Sequence, residues 1–431
     1  MLLRKISITT IAAILCVPFI GQTAKGATFT TQEINEVHSF QKEYGNLNKT
    51  RYSIQNIYAK KPHLKKKFNA GALNPKYIQT QVDYINYYRS LFGLPNVTAT
   101  TTFNNNAQKT AAVMAAINAN PFINQHGLPS EKRPSYISKG TWKLAKDTSE
   151  TSNLNFNVSH QSAGDVITDL VTDHYNLTGS DTGHRAWLLS TRLTTTGIGA
   201  AYGKNGYRYS VQKVLNTNDM FRAASQPVVA YPSMRLFPCF VKFFATFSKA
   251  YPSMRLFPVE LATGNKTVWS LYLSDKTVNS KPEISIKDLD TGITTSATHV
   301  KNYSSSGYGN FKTIITYSPA NTQLVAGHEY EINIKGVYKY TFKLFKQDGT
   351  NDTTNYTTAP VANQSATTLS NKTEVQSPLL KQNKILRAVI MPKAAILPNQ
   401  SNNLLNTLAE DGWNQNFFIR QYALKNLIIT E

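Results

Sequence analysis

The stretch Thr182–Ser190, TGHRAWLLS, followed by Thr194–Gly203, TTTGIGAAYG, is where the chain changes character. The residues before it, HYNLTGSD, are polar and flexible, whereas AWLL is apolar. His184 stands at the boundary, between a glycine and an arginine. RAWLLSTRL begins a short helix or turn. GIGAAYG and YRYSVQKVL read as two strands around Lys204-Asn205-Gly206, a turn of hairpin type. The imidazole therefore sits where a loop enters a small sheet.

Three helices precede this hairpin. In KYIQTQVDYINYYRSLFGLP, Ile78, Val82, Ile85, Tyr88 and Phe92 recur at three- and four-residue steps and share one helix face. Gly93 and Pro95 stop it. NNNAQKTAAVMAAINAN turns Ala107, Ala111, Met114 and Ile117 inward, and SAGDVITDLVTDHY does the same with Val166, Ile167, Leu170 and Val171. Helices packed on a small sheet are expected for 70–217. After Asp219, VWSLYL, EISIKDL, KTIITY, EYEINI and YTFKLF are rich in β-branched and aromatic residues and are divided by turn residues. They read as an all-β, sandwich-like domain over 218–346. The fold class is therefore α+β.

The ends are of another kind. Arg4 and Lys5, an apolar run and GQTAKGA give 1–26 the order of a secretory signal peptide. Residues 27–69 read as a polar, basic leader with weak helical pattern, carrying Lys60, Lys61, Lys65, Lys66 and Lys67. Residues 347–378 are a Thr/Asn/Ser-rich linker, and 379–431 form an unassigned tail. AYPSMRLFP occurs at 230–238 and again at 250–258, a local duplication around an aromatic insert that begins at Cys239. With the signal removed one cysteine remains, so the fold rests on its cores and not on a disulfide. Subtracting the three basic residues of 1–26 from the formal charge of +21 leaves +18. Such an excess favours an extracellular polyanion, above all an anionic cell-wall polymer. No aromatic-basic array points to specific nucleic-acid recognition.

Chemistry is concentrated in 70–217. His126 lies in NPFINQHGLP and His184 in SDTGHRAWLL, with Glu150, Asp165, Asp169, Asp173 and Asp181 between them. Two imidazoles and a carboxylate suit a divalent metal ion such as zinc, or general acid/base work.

INYYRSLFGLP, AQKTAAVMAAINAN…HGLP, SNLNF and TGHRAWLLS…TTTGIGAAYG occur in the order seen in the CAP superfamily, the SCP-like extracellular proteins. The chain resembles its bacterial, disulfide-free branch, as in secreted proteins of lactobacilli and other Gram-positive bacteria. The resemblance implies an α-β-α sandwich with a cleft lined by two histidines and two acids, where some members bind zinc. His126 matches the first histidine and His184 the second. The family's Glu-Asn-Leu is here Ser152-Asn153-Leu154, so serine replaces the first acid. Asp173 is the best match for the second acid, with Asp181 next. The implied metal set is His126, His184 and Asp173, with Arg185 expected to pair with Asp173 or Asp181 and Asn153 to tie backbone groups together. Glu150 could replace the missing acid if it lies on a regular strand.

Three functions follow from this. The first is a secreted, wall-retained protein whose cleft holds a ligand or divalent ion without catalysis. The second is a metal-dependent hydrolase, against which stands the lack of an HExxH motif. The third is a lipid- or sterol-binding exoprotein using the groove or the aromatic insert.

Overall fold

A computed structural model describes residues 26–358, apart from 234–255 and positions 159, 178, 265 and 320. The signal segment, the tail, most of the duplication and its aromatic insert lie outside the described residues. The chain opens with β1 (Thr28–Phe29), α1 (Thr31–Asn46) and a small hairpin of β2 (Tyr58–Lys60) and β3 (Ala72–Leu73). Then come α2 (Pro75–Leu91), β4 (Thr98–Ala99), α3 (Thr101–Ile117), α4 (Lys139–Glu150), β5 (Ser152–Asn157), α5 (Ala163–Thr172) and α6 (Gly183–Leu188). The hairpin strands β6 (Thr195–Tyr202) and β7 (Arg208–Lys213) and the short α7 (Thr217–Met220) complete this part.

Local chemistry starts and stops these helices. Asn74 caps α2 ahead of Pro75, whose missing N–H costs nothing in a first turn. Ser162 and Asp165 form a reciprocal capping box on α5. The strands pair in the order β4-β6-β7-β5. Helices cover both faces of the sheet. On one face Tyr84, Tyr88, Val166 and Ile167 of α2 and α5 meet Ile198 and Ala200 of β6. On the other, Ala107, Ala111, Met114 and Ala145 of α3 and α4 meet Leu154, Tyr209 and Val211. Glycine makes the second contact close. A Cβ at Gly199 would lie 2.2 Å from the Ala107 backbone, so α3 rests directly on β6. The layered α-β-α arrangement that the resemblance implies is present.

The remaining strands are β8 (Val228–Tyr231), β9 (Leu256–Pro258), then after the short α8 (Val259–Ala262) β10 (Trp269–Leu273), β11 (Ile284–Asp288), β12 (Thr294–Ser296), β13 (Thr298–Asn302), β14 (Thr313–Ser318), β15 (Glu329–Ile334), β16 (Tyr338–Phe345) and β17 (Thr357–Thr358). All but β17 form two sheets, β13-β14-β10-β8 and β12-β11-β15-β16-β9. Trp269 and Tyr317 of the first pack on Phe342 and Tyr340 of the second, so the sheets share a core.

Two sequence expectations differ from the structure. The segment expected as a solvated leader packs against the body. α1 buries Val37 and Phe40, and Phe40 stacks on Phe345 at 6.0 Å. Glu33 pairs with Lys343 at 2.8 Å with both side chains almost fully buried. The amphipathic step Ile34, Val37, Phe40, Tyr44 outweighs the polar composition. The beginning of the expected linker is also held: Gln347 is buried, its amide donates to the Tyr87 hydroxyl, and β17 pairs with β1.

Candidate functional site

α6 carries the second histidine, and the loop before it is closed at both ends by unusual backbone. Asp173, which caps α5, and Thr182, which precedes α6, are both in the left-handed region, at φ 57 and φ 53. Such residues cost roughly 1–3 kcal/mol each and persist when surrounding contacts fix them. Those contacts are present. The Asp181 carboxylate accepts from the Gly183 N–H at 3.0 Å and from the Asn176 amide at 2.6 Å. The Thr182 hydroxyl meets that of Tyr272 at 2.8 Å.

His184 and Asp173 form a dyad. The Nδ1–H of His184 donates to Asp173 Oδ1 at 2.8 Å, and the Arg185 N–H reaches Oδ2 at 3.3 Å. The Asn153 amide donates to the His184 carbonyl at 2.9 Å, the tying role expected for it. Burial alone would lower the His184 pKa. The charge and hydrogen bond of Asp173, with Asp181 behind, outweigh it, and the net shift is upward. The side chain keeps 22% of its surface open.

His126 is prepared differently. Its Nδ1 donates to the Ser149 carbonyl at 2.8 Å. Burial pulls its pKa down, the Ser149 bond partly offsets this, and the charge on His184 lowers it further. The two imidazoles thus sense one another, one biased neutral and the other toward the cation. Each uses Nδ1 on its scaffold, which leaves Nε2 as the available lone pair.

Other expected residues take structural roles. Ser152 is buried, and its hydroxyl donates to the Thr148 carbonyl at 2.7 Å. Glu150 ends α4 instead of lying on a strand; its Oε1 is 2.6 Å from where a Cβ would stand on Gly127, beside His126. Sequence reading missed α4, although Ser138 caps it and Lys143 and Asp147 pair along it. Arg185 does not pair through its side chain with Asp173 or Asp181. Its guanidinium, fully buried, donates to the carbonyls of Val171, Thr172 and Val268 and lies 3.7 Å over the Tyr231 ring. The apolar flank at AWLL leaves no room for a solvated cation there, so backbone carbonyls from both parts of the chain receive it. Trp187, partly buried, packs against the core.

Tyr308, from the loop before β14, was not foreseen. Its ring closes on Gly183, 3.1 Å from where a Cβ would be, so the β-rich part covers the start of α6. Nothing local in the sequence marks a contact 125 positions away.

The metal set His126, His184 and Asp173 is not assembled as three converging ligands, because Asp173 stands behind His184. Among the described residues, three such ligand atoms lie within 4.8 Å of one another at Asp288, Asp290 and His328, in the β-rich part. There His328 Nδ1 meets Asp288 Oδ2 at 2.9 Å, and Asp290 accepts from the Glu329 N–H at 2.7 Å. These bonds tie the turn after β11 to the start of β15.

No curated protein matches the chain significantly. Residues 82–214 match the cysteine-rich secretory protein family, CAP. The layered segment that holds His126, Asp173 and His184 is therefore a CAP domain.

Proposed function

We propose that this CAP domain works as an extracellular binding module whose cleft takes a divalent cation of the zinc class through His126 and His184. The observation that carries this reading is the matched preparation of the two rings. Each imidazole spends Nδ1 on a fixed acceptor, a carboxylate for His184 and a carbonyl for His126. That is how proteins orient histidine for a metal and raise its basicity. Asp173 supports the second ligand from behind, and solvent or ligand atoms complete the coordination. A bound ion would supply an electropositive centre for an anionic ligand group.

The CAP family is typically secreted. Among the described residues no helix is long and apolar enough to cross a membrane. Both facts accord with an extracellular module, and the positive formal charge favours retention on anionic wall polymer. A metal-dependent hydrolase is the second reading, favoured by the opposed shifts of His126 and His184, the signature of an acid and base pair. Ser152 in place of an acid weighs against it.

The test is zinc titration of the full chain beside a His126→Ala, His184→Ala double variant. One zinc bound per chain, lost in the variant and weakening as pH falls toward the ordinary imidazole pKa of about 6.5, is the expected result. Equal zinc binding by both proteins would move the metal elsewhere, with Asp288, Asp290 and His328 next to examine. Peptide or ester hydrolysis abolished by a chelator would favour the hydrolase.

A further inference from the structure

Residues 44–82 contain eight lysines and arginines and no acid. Five of the lysines, Lys60, Lys61, Lys65, Lys66 and Lys67, fall within eight positions. The structure mounts these five on an ordered hairpin between β2 and β3. His63 and Asn69 exchange backbone hydrogen bonds at 2.8 and 2.9 Å across it. Leu64, Phe68 and Ala70 pack inward against the core under α3, and the Gln108 amide donates to the Ala70 carbonyl at 2.9 Å. The Tyr58 hydroxyl accepts from the Tyr202 N–H at 2.9 Å. All five lysines are exposed, and none makes an ion pair or side-chain hydrogen bond among the described residues.

We propose that this hairpin is a docking surface for a linear polyanion whose charges are phosphodiesters, of the polyol-phosphate kind found in cell walls. Five like charges on a fixed frame repel one another, and a phosphate chain relieves that repulsion as it binds. Their roots are already ordered, so binding immobilises side chains but little backbone. The charges on the hairpin are lysines, with no arginine fork to select a planar carboxylate in two-point fashion. Phe68 packs against the core and the Tyr58 hydroxyl is held at Tyr202, which leaves His63 as the one exposed ring on the hairpin and no run of aromatics for stacking successive bases. The surface reads charge spacing, not sequence. It deepens the proposed extracellular role by naming the partner's chemistry, and it uses no residue of the histidine cleft.

The experiment measures binding of the full chain to long-chain inorganic polyphosphate at about 50 and 200 mM salt. With about five phosphates neutralised, affinity is expected to fall by about 100-fold between the two. A variant with Lys60, Lys61, Lys65, Lys66 and Lys67 all changed to Gln should bind at least about tenfold more weakly at low salt and lose most of the salt dependence. A control with Lys139, Lys276, Lys281, Lys287 and Lys301 changed to Gln loses the same charge and should stay within about threefold of the parent. Equal losses in the two variants would mean that net charge alone binds the polymer, and the hairpin assignment fails. Tighter binding to oligodeoxythymidylate than to an abasic deoxyribose-phosphate oligomer of equal charge would replace the wall polymer by a nucleic acid. The His126→Ala, His184→Ala protein should bind polyphosphate as the parent does, so failure of the cleft reading leaves this one standing and the reverse.

Discussion

At the scale of single residues the cleft depends on where one proton sits. Asp173 holds His184 by a hydrogen bond at 2.8 Å and raises its pKa against the opposing effect of burial. A base whose folded pKa is raised gains stability from its charged form below the unfolded value, near 6.5, and loses it as pH climbs through the folded value. Asp173→Asn keeps the shape and removes the charge. The His184 pKa should then fall below that of the parent, read by NMR titration of the ring, and zinc affinity should drop by about 10–100-fold. An unchanged His184 titration would show that Asp173 does not set its charge. His126 behaves oppositely: its depressed pKa makes the folded state lose stability as pH falls through the imidazole range.

At the scale of elements, the duplicated AYPSMRLFP shows what the fold requires. The described fold takes Tyr231, at the end of β8, from the first copy and Leu256–Pro258, β9, from the second. β8 and β9 belong to different sheets, so one copy of the motif crosses between them. The Ser233 hydroxyl donates to the Leu256 carbonyl at 2.8 Å, and Phe257 meets the Tyr231 ring at 4.9 Å. Their α-carbons are thus within about 8 Å, and a two-residue link can span about 11 Å. Deleting 234–253 joins Ser233 to Met254 and restores a single AYPSMRLFP. That variant should fold with a stability within about 1 kcal/mol of the parent in urea unfolding. Loss of folding would mean that the extra segment supplies core contacts.

The same scale shows what was legible in the sequence. α2, α3, α5 and the β6–β7 hairpin were readable because their apolar steps and stop residues are local. The strands from VWSLYL to YTFKLF were readable for the same reason. α1 was readable only as a weak helical pattern and its burial was not, since its buried face meets Phe345 and Lys343 of β16, some 300 positions away. His126 and His184 were readable as candidates by residue type and by resemblance. Their division of labour was not, because it depends on the Ser149 carbonyl and on the left-handed turn at Asp173.

At the scale of the molecule, the histidine helix is fastened to the β-rich part, and Arg185 is the fastening. Its guanidinium binds carbonyls of Val171 and Thr172 at the end of α5 and of Val268 before β10, while Tyr231 of β8 covers its face. Thr191 and Ser274 share a hydrogen bond at 3.0 Å, Arg192 donates to the Asn310 carbonyl at 2.9 Å, and Tyr308 rests on Gly183. One apolar cluster runs from Tyr84 and Leu188 through to Trp269 and Phe342. The CAP domain and the β sandwich should therefore unfold together, in one transition, although the sequence reads as two domains. Arg185→Met keeps much of the stem but leaves three buried carbonyls without their donor, each costing about 1–3 kcal/mol. The variant should lose roughly 3–5 kcal/mol, and calorimetry should show the single transition split or shifted down. Because α6 then loses its brace, zinc binding at His184 should weaken in the folded protein as well. A split transition with unchanged zinc binding would make Arg185 a link between domains that the histidine site does not need.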